Sequence, residues 1–335
     1  MGDDDAVPGP SATEPPAVPA PRAAADPRGS RHTAYDRVWR PGRPVAVHTT
    51  LGPQRRGGAD PTYRLTADGA VWRCHRTPLG PVTLRVGGRP GWGEVEATAW
   101  GPGAPWVLEH LPTALGDGDD PSGFVPRHPL LRDMAARHPG WRVPCSGLVL
   151  EALVPAVLEQ KVTGTEARRS WRYLVQRFGE PAPGPAPAGM RVPPDPRTWA
   201  LVPSWEWHRA GVDGKRSRTA VTAARSAGRV EQCADLPCGA AADRLVTLPG
   251  IGAWTAAEVA QRALGDADAV SFGDIHMAKD VTFALVGEAL GDDELREILR
   301  PWAGHRYRVV RLCELSGVRR PRRAPRFAPR DFRAM

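Results

Sequence analysis

What this sequence lacks already narrows the class of protein. No apolar run reaches the ~18 residues that a membrane-spanning helix needs. The N-terminus, MGDDDAVPGP, is acidic and has no apolar core of the kind that signal peptides carry. The five cysteines are scattered and form no CxxC pair, which argues against a disulfide framework or a cysteine metal cluster. We therefore expect a reduced, cytoplasmic protein with no membrane partner.

Lysine is also scarce. Lys161, Lys215 and Lys279 are the only three, although lysine and arginine together number 45. The formal net charge is +8, with an acidic stretch over residues 1–30 and a run of arginines over residues 318–335. A basic surplus favours polyanionic partners, but a solubilising surface would give the same balance.

Hydrophobic periodicity predicts an α+β protein with a small sheet ahead of its helices. At roughly 150 residues per domain, the 335 residues predict about two folding units. From about Ala46 to Trp100 apolar and polar residues alternate, and Asp68-Gly69 is a hairpin signal, so an antiparallel sheet is expected. We predict a disordered segment over 1–34, a sheet domain over 35–104, an all-helical domain over 105–317 and a disordered basic tail over 318–335.

After about Pro105 the apolar period becomes 3.6 residues, which is typical of helices. One helical stripe spans residues 150–158, and Thr165 could cap the next helix, which runs to about Phe178. A linker rich in Pro, Gly and Ala follows over 179–196. Further helices are predicted near 203–210, 215–227, 239–246, 252–264, 276–286, 292–300 and 304–315.

The most informative stretch is Leu248-Pro249-Gly250-Ile251-Gly252. A proline and two glycines in four positions cannot continue a helix, so they predict a tight turn between two helices. Backbone amides around the glycines would then point outward at the start of the second helix, where they can bind a phosphate. This pattern indicates a helix-hairpin-helix, although an ordinary turn between helices is the alternative.

An acidic residue follows about twenty positions later. Asp274 ends the apolar approach Val270-Ser271-Phe272-Gly273 and opens a new helix. Because aspartate is a favoured N-cap residue, capping alone could explain its position.

In combination, these features resemble a known group of enzymes. An LPGIG hairpin followed at this distance by Gly273-Asp274 resembles the HhH-GPD superfamily of base-excision DNA glycosylases, and within it the DNA-3-methyladenine glycosylase II family. The resemblance covers roughly residues 40–316 and includes the leading sheet, Leu158-Glu159-Gln160-Lys161-Val162 and Pro301-Trp302. It implies a helix-hairpin-helix glycosylase domain after the sheet.

The resemblance implies that Asp274 is the catalytic aspartate. A glycosylase must flip its target nucleotide out of the stack to reach the N-glycosidic bond. A carboxylate near the sugar carbon would stabilise the cation that develops there and could deprotonate the incoming water. The implied activity is hydrolytic removal of alkylated purines, of the 3-methyladenine and 7-methylguanine type, from duplex DNA containing damaged bases.

The resemblance also assigns roles around the hairpin. The residues implied to line the substrate pocket are Trp254, Glu258, Gln160 and Trp302, and those implied to contact DNA are Leu248, Gly250, Ile251, Gly252 and Lys161. Aromatic faces suit a cationic base, since cation–π stacking contributes ~0.5–2 kcal/mol. Main-chain carbonyls of Val246, Leu248 and Ile251 fall where relatives hold a monovalent cation; no other cofactor is expected. A monomer is expected.

Several positions depart from the family pattern. Lys161 stands where relatives insert an apolar wedge, so Val143 is an alternative wedge. Glu258, Ile275 and Arg311 stand where relatives carry aromatic residues, which leaves open a glycosylase for deaminated or oxidised bases.

The scarcity of lysine and cysteine bears on the mechanism. Bifunctional glycosylases form a Schiff base through a lysine just after the hairpin, where this chain has Trp254. A monofunctional enzyme that leaves an abasic site is therefore expected. Only Cys313 lies near the C-terminus, so the four-cysteine iron–sulfur cluster of the endonuclease III branch is not expected. A non-catalytic DNA-binding protein remains the other alternative.

Overall fold

The computed structural model describes residues 22–24, 33–89 and 93–321. Six strands form one antiparallel sheet in the order β1-β2-β6-β5-β4-β3. Their bounds are β1 Arg22–Ala24, β2 Ala34–Trp39, β3 Tyr63–Leu65, β4 Val71–Thr77, β5 Gly80–Arg89 and β6 Glu94–Trp100. The predicted alternation is confirmed in β6, where Val95, Ala97 and Ala99 are buried while Glu94, Glu96 and Thr98 are less so.

The predicted strand pattern is wrong in one place and incomplete in another. Residues after Ala46 form a short helix, α1 (Val47–Leu51), because Val47, Thr50 and Leu51 bury one helical face. Residues 22–24, which we predicted to be disordered, form strand β1 because its backbone pairs with the outer edge of β2. The rest of the predicted disordered segment up to residue 32 lies outside the described residues.

Helices make up most of the chain after the sheet. The first seven are α2 Ala104–Glu109, α3 Leu111–Ala114, α4 Pro129–Arg137, α5 Val149–Glu159, α6 Gly164–Phe178, α7 Pro196–Leu201 and α8 Ser204–Arg209. The remaining seven are α9 Gly214–Arg225, α10 Ala227–Glu231, α11 Cys238–Val246, α12 Ala253–Val259, α13 Ile275–Val286, α14 Asp292–Leu299 and α15 Arg306–Ser316. The helices predicted beyond residue 200 are thus confirmed, and a mixed helix-and-sheet fold is confirmed with them.

Two details of the helical part differ from expectation. The predicted linker contains a two-stranded antiparallel pair, β7 (Glu180–Pro181) and β8 (Arg191–Val192), so the part after the sheet is not all-helical. Thr163, not Thr165, caps α6, because Thr163 and Glu166 exchange hydrogen bonds in a capping box. The Thr-x-x-Glu spacing of Thr163 and Glu166 determines the cap, whereas Thr165 lies inside the first turn of the helix.

Two buried clusters organise the helices. The first helical cluster centres on α5, in which every residue from 149 to 158 except Glu151 is buried, and includes α6, α9, α11 and α12. The second helical cluster joins α4, α13, α14 and α15. Val270 and Phe272 belong to the second cluster although they directly follow α12 and its π-helical extension over Ala260–Leu264. The chain therefore crosses from the first cluster to the second just before Asp274.

The start of the predicted basic tail lies against α13. Arg319 and Arg320 each place a guanidinium nitrogen 3.8 Å from a carboxylate oxygen of Asp280. Residues 322–335 of the predicted tail lie outside the described residues. Within the described ranges, no helix combines the length and the apolar character that crossing a bilayer requires.

Candidate functional site

The turn between α11 and α12 has the geometry that its glycines predict. Gly250 has a φ of +87°, and the Ile251 backbone N–H donates to the Leu248 carbonyl oxygen at 3.0 Å. The Ile251 side chain is buried and anchors the turn in the first helical cluster, whereas Gly250 and Gly252 are exposed. The predicted tight turn between two helices is confirmed.

The first turn of α12 presents open backbone amides. Gly252 is its N-cap residue and has no side chain that could accept a hydrogen bond from them. The first four amides of any helix lack partners within the helix, and they attract anions together with the helix dipole. This end of α12 therefore has the donors that a phosphate requires.

Gln160 connects this turn to α5. It is the C-cap residue of α5, and its side-chain Nε2 donates to the Gly250 carbonyl oxygen at 3.0 Å and to Thr255 Oγ1 at 2.9 Å. The amide nitrogen of Gln160 therefore fixes the turn against α5. Its role in lining the substrate pocket stays a prediction.

Lys161 follows at the corner between α5 and α6. It is the one non-glycine residue with positive φ (55°) among the described residues, and its side chain is exposed. A left-handed backbone costs roughly 1–2 kcal/mol for a residue with a Cβ. Such strain persists where the surrounding structure imposes it, and it is common at functional sites.

Replacing Lys161 should separate its structural effect from its effect on DNA binding. Lys161→Gly should raise the free energy of unfolding by about 1 kcal/mol, since glycine adopts positive φ freely. Lys161→Ala keeps the strain, but both variants lose the ammonium group and should bind duplex DNA several-fold more weakly. Thermal unfolding and fluorescence anisotropy measure the two effects. Unchanged DNA affinity in both variants would exclude a DNA contact by Lys161.

Asp274 begins α13 and uses only one of its carboxylate oxygens. Asp274 Oδ1 accepts from the backbone N–H groups of His276 at 2.9 Å and Met277 at 3.1 Å. Asp274 Oδ2 accepts no hydrogen bond from any residue that the structure describes, and the side chain is partly exposed. The capping explanation is thus confirmed, and it leaves one carboxylate oxygen available to another group.

A β-turn presents Asp274. The Asp274 backbone N–H donates to the Ser271 carbonyl oxygen at 3.3 Å, and Gly273 in the third position has a φ of +98°. A positive φ at this position is typical of a type II turn and favours glycine. The spacing Ser271-Phe272-Gly273-Asp274 is therefore explained by backbone geometry.

Trp254 and Glu258 lie one helical turn apart on the same face of α12. Trp254 is partly exposed and belongs to none of the five hydrophobic clusters of the described residues. Glu258 does not stand free, because its Oε2 lies 2.9 Å from Arg262 Nη1 and its Oε1 accepts from Ser271 Oγ. Burial lowers the pKa of Arg262, but the electrostatic effects of Glu258, Tyr307, Glu159 and Glu314 together outweigh it, so the pKa lies above its ordinary value.

Other predicted site residues have structural contacts. Trp302 packs against the second helical cluster and donates from Nε1 to the Val125 carbonyl oxygen at 2.9 Å, so its pocket role stays a prediction. Val143 is 1% exposed, packed with Trp141 and Tyr307, and the hypothesis that it is the wedge is wrong.

Most partners of the predicted site residues carry no signal in the sequence. Gln261 and Asp292 form hydrogen bonds to the segment before Asp274, and no local pattern marks them. Only the Glu258–Arg262 pair has a sequence signal, because opposite charges four residues apart on a helix lie side by side.

The overall architecture is that of DNA glycosylases. The 3-methyladenine DNA-glycosylase from Archaeoglobus fulgidus aligns with a TM-score of 0.67 and 18% identity, covering 84% of this chain and 98% of that one. The 8-oxoguanine glycosylase/lyase from Clostridium acetobutylicum aligns with a TM-score of 0.63 and 10% identity, covering 89% and 98%. At such low identity these alignments establish a shared fold.

A sequence relationship supports the same class. The chain is 31% identical over 186 residues to the probable bifunctional transcriptional activator/DNA repair enzyme AlkA of Mycobacterium tuberculosis. The match covers 53% of this chain and 36% of that relative's length. The chain matches no protein-family model. The resemblance to HhH-GPD glycosylases is thus confirmed by homology to AlkA and by the shared fold.

Proposed function

We propose that this protein is a monofunctional DNA glycosylase that hydrolytically excises alkylated purines from duplex DNA and leaves an abasic site. The observation that carries the proposal is the geometry of Asp274. One carboxylate oxygen is fixed by two backbone amides, and the other has no partner among the described residues. A preorganised anion of this kind stabilises a developing sugar cation without a cost of reorientation.

The hairpin would bind the DNA backbone. Open amides at the start of α12 would bind a phosphate beside the flipped nucleotide, independently of base sequence. Gln160 holds this turn against the α5–α6 corner, so the phosphate contact and Lys161 belong to one surface. The same helix carries Trp254, whose indole would stack on the extruded base.

The preference for alkylated purines rests on the chemistry of the leaving group. A 3-methyladenine or 7-methylguanine base is already cationic in DNA, so it departs without a general acid. AlkA of M. tuberculosis is named a DNA repair enzyme, and the A. fulgidus neighbour is named a 3-methyladenine glycosylase. One observation favours the alternative of another lesion: the Glu258–Arg262 ion pair, with both side chains little exposed, stands where relatives have an aromatic residue.

A strand-cutting lyase activity is not part of the proposal. Lyase chemistry requires an amine that attacks the sugar carbon. Trp254 occupies the place just after the hairpin, whereas Lys215 lies on α9 and Lys279 on α13. Treatment with borohydride during the reaction should therefore trap no covalent complex with DNA, and a trapped complex would contradict the monofunctional assignment.

We propose a monovalent cation at the hairpin carbonyls. Leu248 O accepts one hydrogen bond, from the Ile251 N–H, which leaves a second lone pair, and Val246 lies exposed at the end of α11. The carbonyl oxygens of Val246, Leu248 and Ile251 would hold the ion. It would supply positive charge next to the bound phosphate.

Base release from methylated duplex DNA tests the function. The protein should release 3-methyladenine or 7-methylguanine as free bases, which chromatography identifies, and the strand should remain intact until hot alkali cleaves it at the abasic site. Duplexes with deaminated or oxidised bases serve as the comparison. If the protein releases only deaminated or oxidised bases, its substrates belong to that class and not to the alkylated purines. If it releases no base but still binds DNA, a non-catalytic DNA-binding protein is favoured.

A further inference from the structure

The segment that leads into Asp274 is held by side chains from α12 and its π-helical extension. Gln261 Nε2 donates to the Ala269 carbonyl oxygen and to Ser271 Oγ, each at 2.9 Å. Gln261 and Ser271 are each 5% exposed. A π-helical turn is a rare conformation that often occurs at functional sites, and here it carries the residues that hold this segment.

Glu258 completes this set of contacts. Its Oε1 accepts from Ser271 Oγ, and its Oε2 pairs with Arg262. Arg262 is fixed in turn, because its Nε donates to the Pro53 carbonyl oxygen at 3.1 Å. One oxygen of the Glu258 carboxylate therefore pairs with the partly buried Arg262, and the other holds Ser271, the first residue of the turn that ends at Asp274.

Helix α14 also holds this turn. Asp292 Oδ2 accepts from the Gly273 backbone N–H at 2.6 Å. The guanidinium carbon of Arg296 lies 3.7 Å from the centre of the Phe272 ring, in a cation–π contact. Each of the three residues before Asp274 thus has a side-chain or backbone contact to a neighbouring helix.

We propose that Glu258 is a positioning residue, which sets the orientation of Asp274 through Ser271 and does not contact the base. This inference rests on the proposed function. A misplaced catalytic group lowers the rate whatever base is leaving, because the carboxylate acts at the sugar. A residue that contacts the base would instead change the preference among bases.

Single-turnover excision separates these two roles. Glu258→Ala should lower the rate on the order of 10- to 100-fold, and by the same factor for 3-methyladenine and 7-methylguanine. Glu258→Gln keeps an acceptor for Ser271 Oγ and should stay within about threefold of wild type. Ser271→Ala removes this contact, together with the one from Gln261, without leaving Arg262 unpaired, so it should reproduce the loss, at about tenfold. The exposed Glu288 provides the matched control, Glu288→Gln.

The outcomes that would overturn this role are specific. A change of more than about threefold in the ratio of the two rates for Glu258→Ala would assign Glu258 to base contact. Wild-type rates in both Glu258→Ala and Ser271→Ala would remove the positioning role. The affinity for undamaged duplex should stay within about twofold of wild type in every variant, since none of the changes touches the hairpin.

Hydrogen exchange keeps the inference testable if the wild type excises nothing. In that case the proposed function fails, and the contacts are judged by exchange in the peptide over 269–277. Exchange there should become about tenfold faster in Glu258→Ala and Ser271→Ala but not in Glu288→Gln, with no change in the β4–β5 peptide. Unchanged exchange over 269–277 would overturn the inference by itself.

Discussion

Asp274→Asn should reduce base release from methylated duplex DNA by about 100-fold or more, the size expected when one preorganised electrostatic group is removed. Asparagine is isosteric and caps helices as well as aspartate, so its oxygen can still accept from the His276 and Met277 amides. The fold and the hairpin should therefore be unaffected, and only the negative charge is lost. The rate is measured in single turnover with excess enzyme.

The exposed Asp293, on the first turn of α14, supplies the control substitution Asp293→Asn. Its rate and thermal unfolding should match wild type within about twofold and ~0.5 kcal/mol. Duplex affinity of Asp274→Asn should equal or exceed that of wild type, because an anion has been removed. Full excision activity in Asp274→Asn would show that another residue is catalytic.

Gly250→Ala should both destabilise the protein and weaken its binding to DNA. The φ of +87° costs roughly 1–2 kcal/mol for alanine, and the added Cβ would lie 2.1 Å from Thr219 Oγ1, so the turn must shift. Because a shifted turn misdirects the amides of α12, duplex affinity should fall at least about tenfold, the contribution of one hydrogen bond to a charged group. Thermal unfolding and fluorescence anisotropy measure the two effects.

Two further variants identify the cause of that loss. Gly239 lies on α11 with open space around it and without positive φ, so Gly239→Ala should preserve affinity and gain up to about 1 kcal/mol in stability. Adding Thr219→Ala to Gly250→Ala removes the closest clash and should restore part of the affinity. If Gly250→Ala binds duplex DNA as tightly as wild type, the turn is not the phosphate site.

Features with a local physical cause could be predicted from the sequence. The hairpin follows from proline and glycine chemistry, since Gly250 needs positive φ and Pro249 ends α11. Asp274 follows from N-capping, and its spacing from the hairpin supplied the resemblance. The alternating strands and the helices beyond residue 200 were also predictable, because the period of their apolar residues indicates which face is buried.

Features that depend on contacts between distant segments could not be predicted. Glu258 was expected to face the pocket, but its partner Ser271 is 13 residues away, beyond the π-helical turn. Val143 was expected as an alternative wedge, but it is buried in a cluster with Tyr307, far along the chain. Gln160 was predicted to be a site residue, but its hydrogen bond to Gly250 joins residues 90 positions apart in the sequence. Such contacts are determined by tertiary packing, which local patterns in a single sequence do not specify.

If Asp274 stabilises a cation at the sugar, the protein should distinguish charged from neutral mimics of an abasic site. A pyrrolidine mimic places a cationic nitrogen in the sugar ring, whereas a tetrahydrofuran mimic is neutral. The wild type should bind a duplex containing pyrrolidine at least about tenfold more tightly, and Asp274→Asn should lose that preference. Equal affinity of the wild type for the two duplexes, or an undiminished preference in Asp274→Asn, would contradict the claim.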